Sequence, residues 1–425
     1  MLPRFQSACG LWACICLLVN VASGDDWLRF RGPNGQGEAT GNYPLKWSPN
    51  ENIKWRTELP GPGNSSPIVV AGRVIVTQAT DEGKHRHLIS FDRNTGKEQW
   101  RQTVSFDTVE ETHKTNPYCS ASPVSDGERV ICWHWSAGMH CYDLNGKPLW
   151  SRDLGKFHHI WGEGGSPIIH GDSVYQICGP GERTFVVALN KHTGEVRWQS
   201  PIEPGGSASA KGRYIGTWST PVIVSVDGQE QLLCALHQRT VAYDLKTGKE
   251  LWTTLGISGG RGDLVYTSPL VDESEAFIFG GFGGPMFGFR LGGSGDVTES
   301  NRMWHIEKEW HPQRIGSGVI LGDHIYMANA DNPGSVQCFD RQTGATLWEE
   351  RRTSAGPHWG AIVRNGNRLY VQGQKGALHV LAANPRQFEL LADNDLKEES
   401  NSTPAFSDGE IFIRTWNALY CVSEK

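Results

Sequence analysis

Short apolar runs broken by polar turns recur along this chain. "SSPIVVAGRVIVT" from Ser65 holds two such runs, split at Ala71 and Gly72. "SASPVSDGERVICW" from Ser120, "GGSPIIHGDSVYQI" from Gly164 and "NSTPAFSDGEIFI" from Asn401 repeat the arrangement. Each starts with a small residue, Ser or Thr, then Pro, and continues as strand, polar tight turn and strand. Runs this short, bounded by turn residues, predict strands rather than helices. Downstream a second turn recurs: "SFDRNTGKEQW" (90–100), "CYDLNGKPLW" (141–150), "ALNKHTGEVRW" (188–198), "AYDLKTGKELW" (242–252) and "CFDRQTGATLW" (338–348). The Asp or Asn folds its side chain back onto backbone amides, and the Gly takes a left-handed conformation. A stretched copy runs "GFRLGGSGDVTESNRMW" (288–304), and a worn one ends in Phe388–Leu391.

Four short strands with a period of roughly 43 to 54 residues mark propeller blades rather than helical solenoids. Blade starts fall at Pro67, Pro123, Pro167, Pro221, Pro269, the "GSG" at 316–318, the "WGA" at 359–361 and Pro404. The pattern predicts an all-β, eight-bladed β-propeller of four-stranded antiparallel blades over residues 52–425. The last repeat stops at "LYCVSEK", after its third strand, and an orphan strand (Asn52–Leu59, "NIKWRTEL") precedes the first repeat. That N-terminal strand is expected to complete the last blade, closing the ring and removing exposed edges. Residues 25–51 remain as an N-terminal extension.

The repeat assigns many of the 17 tryptophans. Trp55, Trp100, Trp150, Trp198, Trp252, Trp304 and Trp348 fall early in the outer strands. They are expected to pack between neighbouring blades, each burying on the order of 200 Å². Cys141, Cys338 and Cys421 occupy a slot held elsewhere by Ser90, Ala188, Ala242 and Gly288, and read as small packing residues.

Strand direction sorts the loops. The first-to-second and third-to-fourth turns are short, uniform and on one face. The opposite face carries the long, varied segments 105–121, 156–165, 259–268, 310–318 and 354–361. Variable loops on a rigid scaffold are where function sits. Residues just before each first strand are expected to ring the channel mouth: His113, Asn116, Tyr118, His158, His159, Trp161, Glu163, Trp218, Arg261, Tyr266, Arg314, His358, Trp359 and Asn401. Aromatic rings, histidines and two arginines around one funnel suit a planar or anionic ligand. The spacing of His158, His159 and His358 fixes no coordination shell. Calcium held by oxygens scattered over blades would leave no local motif.

Composition adds two points. A formal net charge of −6 with no basic block argues against nucleic acid as a partner. The first 24 residues carry Arg4, an apolar run to Val21 and then Ala22, Ser23 and Gly24, which reads as a secretory signal cut after Gly24. The apolar run is short for an uncut membrane anchor. "LWAC" (11–14) is a poor lipoprotein box, so a lipid anchor is not expected. The mature protein is expected to be a monomer, periplasmic or extracellular, bound to an envelope protein or a small ligand. Seven of the ten cysteines follow the cut, an odd number, with Cys132 and Cys141 as candidates for a disulfide across a hairpin. "GPNGQG" (32–37) lacks the flanking strand and helix of a phosphate loop. "RGD" (261–263) is a chance tripeptide, and "NSS" (64–66) and "NST" (401–403) matter as sequons only in a glycosylating host.

"AYDLKTGKELW" closely resembles the tryptophan-docking repeat of pyrroloquinoline-quinone-type β-propellers, and the resemblance covers the chain from about Trp27 to its end. It implies one of two branches. The quinoprotein alcohol dehydrogenases hold the quinone and calcium in the funnel. The propeller of the bacterial outer-membrane barrel-assembly machinery binds proteins and has no cofactor. The first branch implies an adjacent-cysteine ring against the quinone, and this sequence has none. It also implies a Glu, an Asn and an Asp for calcium and base chemistry. Glu163, Asn116 and Asp263 stand in suitable loops, but the surrounding motifs do not match. The expected function is therefore a non-enzymatic extracytoplasmic binding or scaffold protein with no catalytic residue, metal or cofactor. The alternative is a dehydrogenase of alcohols or sugars that uses pyrroloquinoline quinone and calcium.

Overall fold

Each Ser/Thr–Pro lead opens a four-stranded antiparallel meander. The computed structural model describes residues 26–206, 214–260, 262–307, 313–351 and 353–424. After Ser66 the strands are Ile68–Val70, Arg73–Thr80, His85–Asp92 and Glu98–Ser105, paired in chain order. The innermost is buried along its length, and the outermost alternates exposed with half-buried residues. Strands covered on both faces read as apolar runs, and the outer strand faces water on one side. Sheets of the same layout follow at 124–152, 168–201, 222–255, 270–306, 319–351 and 363–395. The protein is a β-propeller. Near its N-terminus Ile53–Glu58 pairs antiparallel with Ala418–Val422, Trp55 opposite Cys421, and supplies the fourth strand of the C-terminal sheet.

Two devices join neighbouring blades. The first is the tryptophan. Trp55 donates its indole N–H to the Arg93 carbonyl at 2.8 Å. Trp100, Trp150, Trp198, Trp304 and Trp348 donate to the carbonyls of Leu144, Lys191, Leu245, Arg341 and Asn384, each at 2.9 Å. Every acceptor lies in the outer turn of the next blade. There the turn glycine is demanded twice. Gly248 has φ +70°, and a Cβ on it would stand 2.4 Å from the Trp198 ring. Asp244 shapes the same turn by accepting the backbone N–H groups of Lys246 and Thr247 at 3.1 and 2.8 Å. Trp252 departs from the pattern because it faces the stretched turn. It donates to Gln231 Oε1 of its own blade at 2.8 Å, and the short strand Gly295–Asp296 pairs beside it. Ser90, Cys141, Ala188, Ala242, Gly288, Cys338 and Cys421 are each the cross-strand partner of one of the seven tryptophans. A small side chain there leaves room for the ring.

The second device explains the leads. The Ser66 N–H donates to Ser122 Oγ, Ser122 N–H to Ser166 Oγ and Ser166 N–H to Thr220 Oγ1, at 2.9 to 3.0 Å. Ser268 N–H donates to Ser317 Oγ, Ala361 N–H to Thr403 Oγ1 and Thr403 N–H to Ser66 Oγ, at 2.8 to 2.9 Å. Each hydroxyl satisfies an amide of the neighbouring blade around the central channel.

One expectation is corrected. All seven cysteines among the described residues are buried free thiols. Cys132 pairs with His140, and Cys141 with Ile131. The two cysteines are one register step apart, and successive strand positions face opposite sides of a sheet. Cys132 lies 3.3 Å from His134 Nε2 instead.

Residues 26–39, part of the N-terminal extension, cross the channel on the short-turn face. Trp27 bridges to Val69, and the Ser125 N–H donates to the Leu28 carbonyl. Gln36 Oε1 accepts from the Val271 N–H, and Glu38–Ala39 pairs parallel with Arg364 and Asn365. Arg31 donates to the Gly318 carbonyl. The segment spans the channel from the Ser66 blade to the Ala361 blade and closes that end.

Candidate functional site

The open end of the channel is a cavity of about 390 Å³ on the long-loop face, within the range of small-ligand pockets of about 300–1,000 Å³. Phe30 of the N-terminal segment lines it from below. One repeat position supplies much of the wall: the residue two places before each lead residue that opens a first strand. Asn64, Ser120, Gly164, Trp218, Tyr266, Ile315, Trp359 and Asn401 all line the cavity. The residue one place earlier faces the other way, as extended backbone requires. Cys119, Glu163, Thr217, Val265, Arg314, His358 and Ser400 hold that position and are nearly or fully buried. Of these, Glu163 alone reaches the cavity.

The expected site residues therefore separate. Trp161, Trp218 and Tyr266 come together with Tyr214 and Phe282. The Trp161 ring lies 4.5 Å from Tyr214, 5.6 Å from Phe282 and 5.8 Å from Trp218, and Trp218 lies 5.0 Å from Tyr266. A parallel pair of strands, Tyr214–Thr217 and Gly262–Val265, sets Trp218 and Tyr266 side by side. His159 packs edge-on to Trp218 at 4.8 Å, and its burial pushes the imidazole down to about 4. His113 stands exposed at the rim with Nδ1 2.6 Å from Thr115 Oγ1. Asn116 lines the cavity as a brace. Its Nδ2 donates to the carbonyls of Trp161 and Glu163 at 2.6 and 2.7 Å, and its Oδ1 accepts from Ser120 Oγ at 2.7 Å.

Five expected residues do not line the cavity: His159, packed on Trp218, and four more. Tyr118 lies outside it, its hydroxyl donating to the Glu110 carbonyl at 2.6 Å and its ring covering Arg86 at 4.7 Å. His158 is exposed beside Glu111, 3.2 Å away. Arg314 is buried between the rings of Phe279 and Phe339. His358 is buried too, with Thr353 Oγ1 2.8 Å from Nε2 and the Gln372 carbonyl 3.2 Å from Nδ1. Burial pushes it down to about 4. Arg261 lies outside the described residues.

Glu163 dominates the electrostatics. It is 2% exposed. Oε1 accepts the Ser120 N–H at 2.9 Å, and Oε2 is buried with no protein hydrogen-bond partner. Burial pushes its carboxyl up to about 7, against the opposing pull of the Arg86 guanidinium. Arg86 is itself paired with Glu110 at 2.7 Å. Asn401 Oδ1 is a second buried acceptor without a protein partner; its Nδ2 donates to the Thr115 carbonyl at 2.9 Å.

The channel geometry and the repeated tryptophan dock agree with what sequence comparison finds. Residues 55–278 and 332–424 match the family described as outer membrane protein assembly factor BamB. The chain belongs to that family. Over 127 residues it is 30% identical to the BamB of Burkholderia pseudomallei (strain K96243), covering 28% of this chain and 31% of that one. Over 170 residues it is 25% identical to a lanthanide-dependent methanol dehydrogenase of Methylacidiphilum fumariolicum (strain SolV), covering 36% of this chain and 24% of the enzyme. The matches thus span a third or less of either relative's length. Among solved structures, BamB from Moraxella catarrhalis superposes with a TM-score of 0.59 at 16% identity, covering 88% of this chain and 97% of that one. A europium-containing methanol dehydrogenase gives 0.66 at 12% identity, covering 93% and 90%. At these identities the superpositions establish the propeller fold alone.

A BamB-family propeller with dehydrogenase relatives raises the question of quinone and metal. Pyrroloquinoline quinone is a planar tricarboxylate. The aromatic walls suit its plane, but its charges have no counterpart. No Lys or Arg stands among the described lining residues, and their one carboxylate is Glu163. Asn116 is committed to protein partners at both ends of its amide. Asp263 accepts from Gln238 at 3.1 Å and does not line the cavity. Among the described residues no group of three or more His, Cys, Asp or Glu is placed to hold a metal ion. The described residues do not fit that quinone with calcium.

Proposed function

We propose that this chain is an exported, non-enzymatic binding protein: an eight-bladed propeller, closed by its N-terminal strand, that holds a partner on its long-loop face over the cavity. The blind cavity carries the reading. It has aromatic walls and a single carboxylate, with no second carboxylate, lysine or cysteine among the described lining residues. Proton exchange with a substrate calls for positioned acid and base groups, and a buried carboxyl with one histidine exposed at the rim suits binding better. The outer-membrane assembly relatives support an envelope protein as that partner. The first 24 residues act as the export signal in this reading, and no helix among the described residues is long and apolar enough to cross a membrane.

The dehydrogenase relatives define the competing outcome. The purified protein is mixed with pyrroloquinoline quinone and calcium, or with quinone and a lanthanide, and assayed for quinone absorbance after gel filtration and for dye reduction with alcohols and sugars. Neither retained quinone nor turnover is expected. Stoichiometric quinone with turnover overturns the proposal.

A further inference from the structure

The cavity's unmet hydrogen-bonding capacity is of one kind. Asn401 Oδ1 and, once its carboxyl is ionised above about 7, Glu163 Oε2 are acceptors on residues that line the cavity, and neither has a protein donor. Asn401 Nδ2 is spent on the Thr115 carbonyl, so the free end of that amide is its oxygen. A buried acceptor left unpaired costs free energy that a donor would recover. Trp161, Trp218, Tyr266 and Phe282 line the same cavity, and ring faces attract cations placed within about 6 Å. Among the described lining residues no Lys or Arg competes for that place. The guanidinium acting on Glu163, that of Arg86, is paired with Glu110 through Nη2 and covered by Tyr118, and its Nη1 has no partner.

We infer that the cavity binds a primary ammonium group on an aliphatic stem, with the ammonium donating to Glu163 and Asn401 and the stem lying against the aromatic wall. This rests on the proposal that the cavity is the binding site, and it reverses the anionic ligand that the sequence suggests. Two sources share the chemistry: a lysine side chain of a partner polypeptide and a free aliphatic amine.

The test is a set of tryptophan-fluorescence titrations of the full mature chain at about pH 8, where Glu163 is ionised. The probes are acetyl-Gly-Lys-Gly-amide, 1,5-diaminopentane and the neutral control acetyl-Gly-norleucine-Gly-amide. Saturable quenching by one or both ammonium compounds is expected, with the norleucine peptide at least tenfold weaker. Tighter binding of the lysine peptide assigns the source to a polypeptide, and tighter binding of the diamine assigns it to a free amine. Glu163→Gln is expected to weaken the ammonium compounds at least tenfold and to leave the norleucine peptide unchanged. The wild-type comparison of lysine with norleucine stands even if that variant folds poorly. Equal binding of lysine and norleucine, no saturable quenching by either amine, or full affinity in a folded Glu163→Gln variant would overturn the inference. None of these results touches capture of an envelope partner by the long-loop face, which cross-linking reads separately. Ammonium binding without such capture would fail the proposed function alone.

Discussion

Replacing Trp198 with alanine is expected to remove about 3–5 kcal/mol of folding stability, as large aromatic truncations in cores do. The ring is 7% exposed and lies at a joint between two blades. It donates to the Leu245 carbonyl, lies against Gly248 and stacks on Tyr243 of the next blade at 6.2 Å between centroids. Truncation takes away apolar burial, the hydrogen bond and the surface on which the next turn rests. Trp198→Phe keeps much of the ring and is expected to cost about 1 kcal/mol for the lost bond beyond the change in packing. Gly248→Ala forces a Cβ into the indole from a left-handed backbone position, so it is expected to rank nearer to the alanine truncation than to the phenylalanine variant. Urea denaturation of the three variants measures the order. A Trp198→Ala variant within 1 kcal/mol of wild type would mean that the tryptophan dock does not hold the blades together.

The stability profile against pH is expected to have two limbs of opposite sign, the acid one shared by His87, His159 and His358. On the acid side, His358 is held neutral in the folded protein down to about 4. The unfolded chain takes up that proton near 6.5, so the contribution of His358 is present above 6.5 and is lost as pH falls towards 4. Glu163 works in the other direction. Folded, it keeps its proton up to about 7, whereas the unfolded chain releases it near 4.5. Its contribution is whole below 4.5 and is lost as pH rises through 7. A shift of that size corresponds to roughly 2–4 kcal/mol. Glu163→Gln should therefore gain on wild type by about that amount between pH 4.5 and pH 7.5, read as a difference of unfolding free energies. His358→Gln should make the acid limb between pH 6.5 and 4 shallower, whatever its absolute cost, leaving the share of His87 and His159. Parallel wild-type and variant profiles would show that neither group carries the linkage.

What the sequence makes legible is whatever repeats. The turn Asp244–Gly248, the small residue opposite each tryptophan and the Ser/Thr–Pro leads recur, and their recurrence is enough to derive strand order and to tell the short-turn face from the long-loop face. The cavity is harder because its residues are non-repeating by chemistry while repeating by position. Asn64 reads only as part of a sequon, yet it holds the wall position shared with Asn401, Trp218 and Tyr266. Counting back two residues from each lead would have found it. The same parity explains why Arg314 and His358 sit in the core although they lie in the right loops: one residue of offset turns an extended side chain away. The floor leaves no local trace. Gln36 meets Val271, and Arg31 meets Gly318, across more than half the chain, and no periodicity encodes such contacts. The parallel pairing of Tyr214–Thr217 with Gly262–Val265 is likewise invisible until two distant loops are brought together.

The central claim is that the long-loop face is the working face, and site-specific photo-cross-linking in living cells tests it most directly. A photoreactive phenylalanine analogue is placed at Trp359, on the cavity wall, and separately at Lys246, in a short turn on the opposite face. Both variants are exported and checked for wild-type melting temperature. The account predicts a discrete partner adduct from position 359 and none from position 246. Adducts from 246 alone, or equally from both positions, would contradict it.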